Sequence, residues 1–302
     1  MDKGSKPKII VIVGPTGSGK TSLSLEIASR FDGEVISADS RQVYKKLDIG
    51  TEKITETEMD GVPHHVIDVA DINTLYTATD FKRDAVCAIA EITKRGHTPI
   101  VAGGTFFYID TLLGTMSAAP VAPNPRLRMI LETQNTETLF AELEKKDPTR
   151  AHNIDRHNKR RLVRALEIID AVTTVPIQHK KTESPYDVLK IGIQVDKILL
   201  RKKLRARAEL AFKKGIINET KELLSSGVST ERLSEIGHEY RISMEFLNGH
   251  IDEKTLIQKF EEKNWQYAKR QLMWLKRDPN IVWFERESTE EIFKTITAFL
   301  SN

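Results

Sequence analysis

The sequence predicts an α/β protein: a doubly wound parallel sheet that carries a helical insertion and a helical C-terminal part. Three observations predict it. A β-branched run, Lys8 to Val13, leads directly into a glycine-rich loop; strand and helix signals then alternate up to about Leu113; and beyond a proline-rich linker helical periodicity dominates. The 302 residues, 29% charged and 39% hydrophobic, suit about two packed domains and fit neither disorder nor a membrane protein. The longest clean apolar run, Ile9 to Val13, is too short to cross a bilayer, and Met1 to Lys6 holds no apolar signal stretch. A cytoplasmic protein without a membrane partner is therefore expected, and a monomer. One cysteine, Cys87, leaves no intrachain disulfide and no cysteine-based zinc site. With 46 basic and 43 acidic residues the net charge of +3 names no polyanionic partner by itself.

The first run ends in Gly14-Pro15-Thr16-Gly17-Ser18-Gly19-Lys20-Thr21, a G-x-x-x-x-G-K-T loop, and Leu23, Ile27 and Phe31 then recur at helical spacing. Strand, loop and helix together make the core P-loop NTPase-like. The glycines let backbone N–H groups converge on an anion, Lys20 adds a point charge, the Thr21 hydroxyl can hold Mg2+, and the helix dipole points the same way. All of this suits a pyrophosphate group. A second strand, Glu34 to Ala38, ends at Asp39, which in a βαβ unit lies beside the loop at the carboxyl edge of the sheet. There Asp39 can accept a proton from an acceptor substrate, or it can cap the turn that begins at Ser40. The strand Thr98 to Ala102 runs into Gly103-Gly104-Thr105, so it ends in a hydroxyl where nucleotide-driven motors place a magnesium-binding acid.

Residues 114–125, rich in Pro and Ala, read as a linker. Strand character returns only at Val188 to Val195, after the turn-like Glu183-Ser184-Pro185-Tyr186. The expected division is a core of 1–117 and 188–302 with an insertion of 118–187. Basic residues cluster in three places. Arg150 to Arg164 has six Arg or Lys against Asp155, with Leu162, Leu166 and Ile169 as a buried stripe and Arg160, Arg161 and Arg164 opposite it. The others are Lys197 to Arg207, and Lys269, Arg270, Lys276 and Arg277. His64 and His65 are neighbours on an extended stretch and point to opposite faces, so structural roles are expected of them rather than a shared metal.

Beyond the loop, Asp39-Ser40-Arg41-Gln42-Val43-Tyr44, Asp48-Ile49-Gly50-Thr51, Gly61-Val62-Pro63-His64-His65, Ala102-Gly103-Gly104-Thr105 and Tyr267-Ala268-Lys269-Arg270-Gln271 occur in order. Together they resemble the tRNA dimethylallyltransferase (isopentenyltransferase) family over most of the chain. The resemblance implies transfer of a dimethylallyl group from dimethylallyl diphosphate to N6 of the adenine 3′ of a tRNA anticodon. It implies Asp39 as general base, and the loop, Lys20, Thr21 and Mg2+ as stabilisers of the leaving diphosphate. It also implies that Asp39, Ser40, Arg41, Gln42, Thr105, Arg128, the stretch Arg160-Arg161-Leu162-Val163-Arg164, and Arg241 contact the tRNA anticodon stem-loop. The insertion would then be a tRNA-binding domain. Where many members read Gly-Tyr-Arg, this chain has Gly237-His238-Glu239-Tyr240-Arg241, and Lys197 and Lys203 stand where arginine is usual. Eukaryotic relatives carry a zinc finger that one cysteine cannot build, so the bacterial type is the match. A small-molecule kinase, an adenylate isopentenyltransferase and a non-catalytic RNA-binding protein are the competing readings. The basic insertion speaks against the first two, and the intact Lys20, Thr21 and Asp39 against the third.

Overall fold

The computed structural model describes residues 6–116, 121–172 and 183–302. Packing divides the chain into two compact units, 1–115 with 183–302, and 116–182. The first half of the larger unit runs β1 (Lys8–Val13), α1 (Lys20–Arg30), β2 (Gly33–Ser37), α2 (Glu56–Met59), β3 (His64–His65), α3 (Ala78–Lys94), β4 (Thr98–Ala102) and α4 (Phe106–Leu112). The smaller unit holds α5 (Pro125–Glu132), α6 (Thr136–Lys146), α7 (Pro148–His152) and α8 (Lys159–Ala171). The larger unit resumes with β5 (Asp187–Gln194), α9 (Lys197–Lys214), α10 (Ile216–Ser225), α11 (Thr230–Ile236), α12 (His238–Leu247), α13 (Glu253–Leu275), β6 (Ile281–Glu285) and α14 (Thr289–Ser301).

The sheet has six strands in the order β3-β2-β4-β1-β5-β6, and every pairing is parallel. β1 lies between β4 and β5, with Ile10 opposite Ile100 and Lys8 opposite Asp187, which explains its unbroken apolar run. Its side chains alternate between two cores. Ile9, Val11 and Val13 pack with Phe81, Ile89 and Tyr108 of α3 and α4, whereas Ile10 and Ile12 pack with Leu23 and Ile27 of α1 and Ile292 and Ile296 of α14. Both faces are thus covered by helices, as a doubly wound sheet requires. The carboxyl ends of β1, β2 and β4 open together, and this brings the glycine-rich loop, Asp39 and the Gly103-Gly104-Thr105 turn to one edge.

The structure adds detail to two expectations. The C-terminal part is not purely helical: Ile281–Glu285 forms the edge strand β6, beside β5. Gly192 of β5 makes room for it, since a Cβ there would stand 2.5 Å from Ile281 Cγ2. Residues 183–187 pack with the larger unit rather than the insertion; Asp187 opens β5 and donates its N–H to the Pro7 carbonyl.

In the smaller unit an Asn or Asp side chain caps the start of each helix: Asn124, Asn135, Asp147 and Asn158. Its core is built from Leu131, Leu139, Leu143, Leu162, Val163 and Leu166. Leu162 and Val163, expected at the tRNA, therefore spend their side chains on packing. Glu167, 1% exposed, accepts from Arg128 Nε (2.8 Å) and Nη2 (2.9 Å) and also pairs with Arg164. Burial would raise the Glu167 pKa, but these arginines outweigh it and hold the carboxyl below its ordinary range. Arg164 is thus not a free cation opposite the apolar stripe, while Arg160 and Arg161 are exposed.

Candidate active site

The loop after β1 folds as its glycines require. Gly17 and Gly19 hold φ of 79° and 92°, in the left-handed region, and Gly19 forms the N-terminal cap of α1. The first-turn N–H groups of α1 have no helical carbonyls to meet and face the same space as Lys20 and Thr21. That space is a cavity of about 590 Å³ within the larger unit. Thr16, Lys20, Thr21, Asp39, Arg41 and Arg207 are among its walls.

The electrostatics favour an anion. Lys20 Nζ donates to the carbonyls of Gly14 (3.0 Å) and Pro15 (2.8 Å). Burial, followed by repulsion from Arg207, lowers its pKa to about 7 although Asp39 acts in the other direction. Arg207 donates to Thr16 Oγ1 at 2.9 Å and pairs with Glu52; burial and then Arg41 lower its pKa to about 10. Lys20, Arg41 and Arg207 thus gather positive charge on the walls of one cavity, a setting that suits an anion.

Asp39 follows β2 and lines this cavity. Its Oδ1 accepts from the N–H groups of Arg41 (2.9 Å) and Gln42 (3.4 Å), so one carboxylate oxygen caps the turn while the residue also lines the cavity. Of the two roles left open by the sequence, the turn cap is filled by one oxygen, and it leaves the residue on the cavity wall. Ser40 N–H donates to Thr105 Oγ1 at 3.0 Å. Gln42 Oε1 accepts from Ser37 Oγ, and Gln42 Nε2 donates to the Thr51 and Glu52 carbonyls. Arg41 donates to Glu239 Oε2 at 2.6 Å; burial works against its charge, but Glu239 and then Asp39 raise its pKa above the ordinary arginine value.

The Asp48-Ile49-Gly50-Thr51 motif also finds a physical reason. Glu219 of α10 accepts the N–H groups of Asp48 (3.0 Å), Ile49 (2.7 Å) and Gly50 (3.0 Å), and the Tyr240 hydroxyl at 2.9 Å. A Cβ on Gly50 would stand 2.7 Å from the Tyr240 ring. Lys53, whose side chain is nearly buried, ties the Tyr44 carbonyl to Asp48 and Asp68. These contacts fix the loop that carries Thr51 and Glu52 into the cavity wall.

His64 and His65 have separate partners, the Val62 carbonyl at 2.8 Å and Glu34 at 2.6 Å. Among the described residues, no group of three or more His, Cys, Asp or Glu side chains could hold a metal. Arg241 is exposed on α12 and is not part of the cavity wall, and Arg128, Arg160, Arg161 and Arg164 belong to the smaller unit. Of the second basic cluster, Lys203 and Arg207 line the cavity, whereas Arg201 and Arg205 pair with Glu261. Arg207, Glu239 and Gln271 are the site residues that sequence reasoning did not single out. Arg207 lay in a basic cluster and Gln271 in a quoted motif, but neither carried a signal for its partner.

The IPP transferase family model matches residues 42–278. The chain belongs to the IPP transferase family. It is 35% identical to the tRNA dimethylallyltransferase of Bacillus cytotoxicus, over 98% of this chain and 96% of that protein. It is 37% identical to tRNA dimethylallyltransferase 2 of Syntrophus aciditrophicus, over 98% and 97%. The crystal structure of the full-length tRNA isopentenylpyrophosphate transferase of Bacillus halodurans superposes with a TM-score of 0.73 at 34% identity, covering 98% of this chain and 97% of that one. A eukaryotic dimethylallyltransferase acting on tRNA gives 0.80 at 27% identity, covering 98% and 80%. The P-loop NTPase-like core is thus one that IPP transferases share. The family match also covers the stretch that departs from the usual motif: Glu239 of Gly237-His238-Glu239 is spent on Arg41, and a Cβ on Gly237 would lie 2.9 Å from Glu239 Oε2.

Proposed function

We propose that this family member transfers a dimethylallyl group from dimethylallyl diphosphate to N6 of the adenine immediately 3′ of the anticodon in tRNA. The observation that carries the proposal is the placing of a cation-lined phosphate loop and the Asp39 carboxylate on one cavity, in a chain whose relatives are named for tRNA prenylation. The bond from N6 to C1 of the dimethylallyl group forms as the C1–O bond to diphosphate breaks, and the diphosphate leaves with that electron pair. The N6 proton goes to Asp39. A positioned base of this kind is worth about 10² to 10⁴ in rate. Lys20, Arg207 and the N–H groups of the loop meet the charge that builds on the leaving group, where one well-aimed donor contributes about 3 to 4 kcal/mol.

The donor set also suits Mg2+. Thr21 offers one hydroxyl at the cavity, and a hard cation that keeps several waters takes its remaining ligands from phosphate oxygens. Bound there, Mg2+ would neutralise charge on the diphosphate. Arg160 and Arg161, exposed on α8, are the residues of the smaller unit best suited to tRNA phosphates, and the protein works as a cytoplasmic monomer.

The test offers the purified protein dimethylallyl diphosphate or ATP as donor, and tRNA or AMP as acceptor. Release of diphosphate only with dimethylallyl diphosphate and tRNA together is expected. Turnover that needs ATP supports a kinase, transfer to AMP an adenylate isopentenyltransferase, and tRNA binding without turnover a non-catalytic RNA-binding protein.

A further inference from the structure

Gln271 lies near the C-terminal end of α13, 3% exposed, and both ends of its amide are committed. Oε1 accepts the Thr16 N–H of the phosphate loop at 2.7 Å, and Nε2 donates to the Gly104 carbonyl at 3.0 Å. A backbone N–H can only donate and a carbonyl can only accept, so the orientation of the amide is fixed by its partners. Glutamate lacks the donor, lysine the acceptor and methionine both. Gly104 is shaped by the same contact, since a Cβ there would stand 2.4 Å from Gln271 Nε2. One turn earlier, the Tyr267 hydroxyl donates to the same carbonyl at 3.2 Å.

The turn that Gln271 holds is itself bound to the segment carrying Asp39. Thr105 N–H donates to the Ala38 carbonyl at 3.0 Å, and Thr105 Oγ1 accepts the Ser40 N–H at 3.0 Å. A continuous path therefore runs from Thr16 at the diphosphate end, through Gln271, Gly104 and Thr105, to the two neighbours of Asp39 at the acceptor end. We propose that Gln271 is a positioning residue that fixes the separation between the phosphate loop and the Asp39 carboxylate. The inference rests on the transfer reaction proposed above, in which attacking nitrogen and leaving oxygen flank one carbon. For such a reaction a misplacement of about 1 Å can cost about 10² in rate.

Gln271→Met keeps the stem and removes both hydrogen bonds. Its kcat should fall tenfold or more, on the order expected for a misplaced reacting pair, while KM for dimethylallyl diphosphate, KM for tRNA and calorimetric affinity for inorganic diphosphate each change less than about threefold. Thr105→Val removes the link to Ser40 and keeps the N–H on the Ala38 carbonyl, so it weakens the same path further along and the double variant should lose less than the product of the two single losses. A lower melting temperature with unchanged kcat, weaker diphosphate binding with unchanged kcat, or additive losses in the cycle would each overturn the inference. Should Gln271→Met not fold, Gln271→Glu keeps the shape and the acceptor toward Thr16 but lacks the donor toward Gly104, and the same loss of kcat is expected. If the wild-type protein transfers no dimethylallyl group to tRNA, the proposed function and this inference fall together. If it does and Gln271→Met matches its kcat, the inference alone fails.

Discussion

At the residue scale the proposed chemistry turns on Asp39 and Lys20. Asp39→Asn keeps an oxygen for the Arg41 and Gln42 N–H groups but removes the proton acceptor, so turnover should fall about 10² to 10⁴ with tRNA affinity nearly unchanged. Filter binding beside a turnover assay separates the two; loss of tRNA binding would make Asp39 a contact residue instead. Lys20 has a pH signature. With its pKa lowered to about 7, by burial first and Arg207 second, it loses its charge as the pH rises through neutrality. Diphosphate favours the charged form, so above about pH 7 binding should take up a proton and affinity should fall as pH rises. Calorimetry in buffers of different ionisation heat reads this directly; no uptake and a flat affinity from about pH 7 to 9 would contradict it. The loop from Gly14 to Thr21 was legible because its chemistry is contiguous. Arg207 and Gln271 were not, because their partner Thr16 is 191 and 255 residues away in the chain.

At the scale of elements, the crossing of β4 into its glycine turn is the most constrained part of the site. A Cβ on Gly103 would lie 2.2 Å from the Ala38 carbonyl oxygen, one residue from Asp39, and no flexible atom is there to give way. Gly103→Ala should cost on the order of 3 kcal/mol, a large overpacking penalty, and lower the melting temperature together with activity. A melting curve equal to wild type would show that the strand ends move apart easily. At the opposite end of β2, Glu34 is 2% exposed and accepts from Arg95, His65 and His97. Arg95, ahead of the histidines, outweighs burial and lowers the Glu34 pKa to about 2, so its contribution to stability is present above the ordinary glutamate pKa and lost as pH falls from there toward 2. Urea unfolding at pH 7 and pH 3 should show a smaller loss for Glu34→Gln than for wild type; equal losses would remove Glu34 from the acid response. β1, β2 and β4 announced themselves as short apolar runs ending in glycine or acid. β6 did not, because four of its five residues are only partly covered or exposed at the sheet edge and its pairing depends on the missing side chain of Gly192.

At the scale of the whole molecule, a net charge near zero hides a divided one. The smaller unit commits Arg128 and Arg164 to the buried Glu167 and leaves Arg160 and Arg161 exposed, a distinction that helical periodicity could not draw because it depends on a carboxylate turned inward. Replacing Arg160 and Arg161 together by alanine should weaken tRNA binding and reduce its salt slope by up to about 2, with KM for dimethylallyl diphosphate unchanged. An unaltered slope would remove both from the RNA interface. The proposed reaction itself is tested most directly by incubating the protein with undermodified tRNA and dimethylallyl diphosphate, without ATP, and sequencing the nuclease fragments by mass spectrometry. One dimethylallyl group on the adenosine immediately 3′ of the anticodon is the expected result; an unmodified anticodon loop, or a dimethylallyl group placed elsewhere, would contradict it.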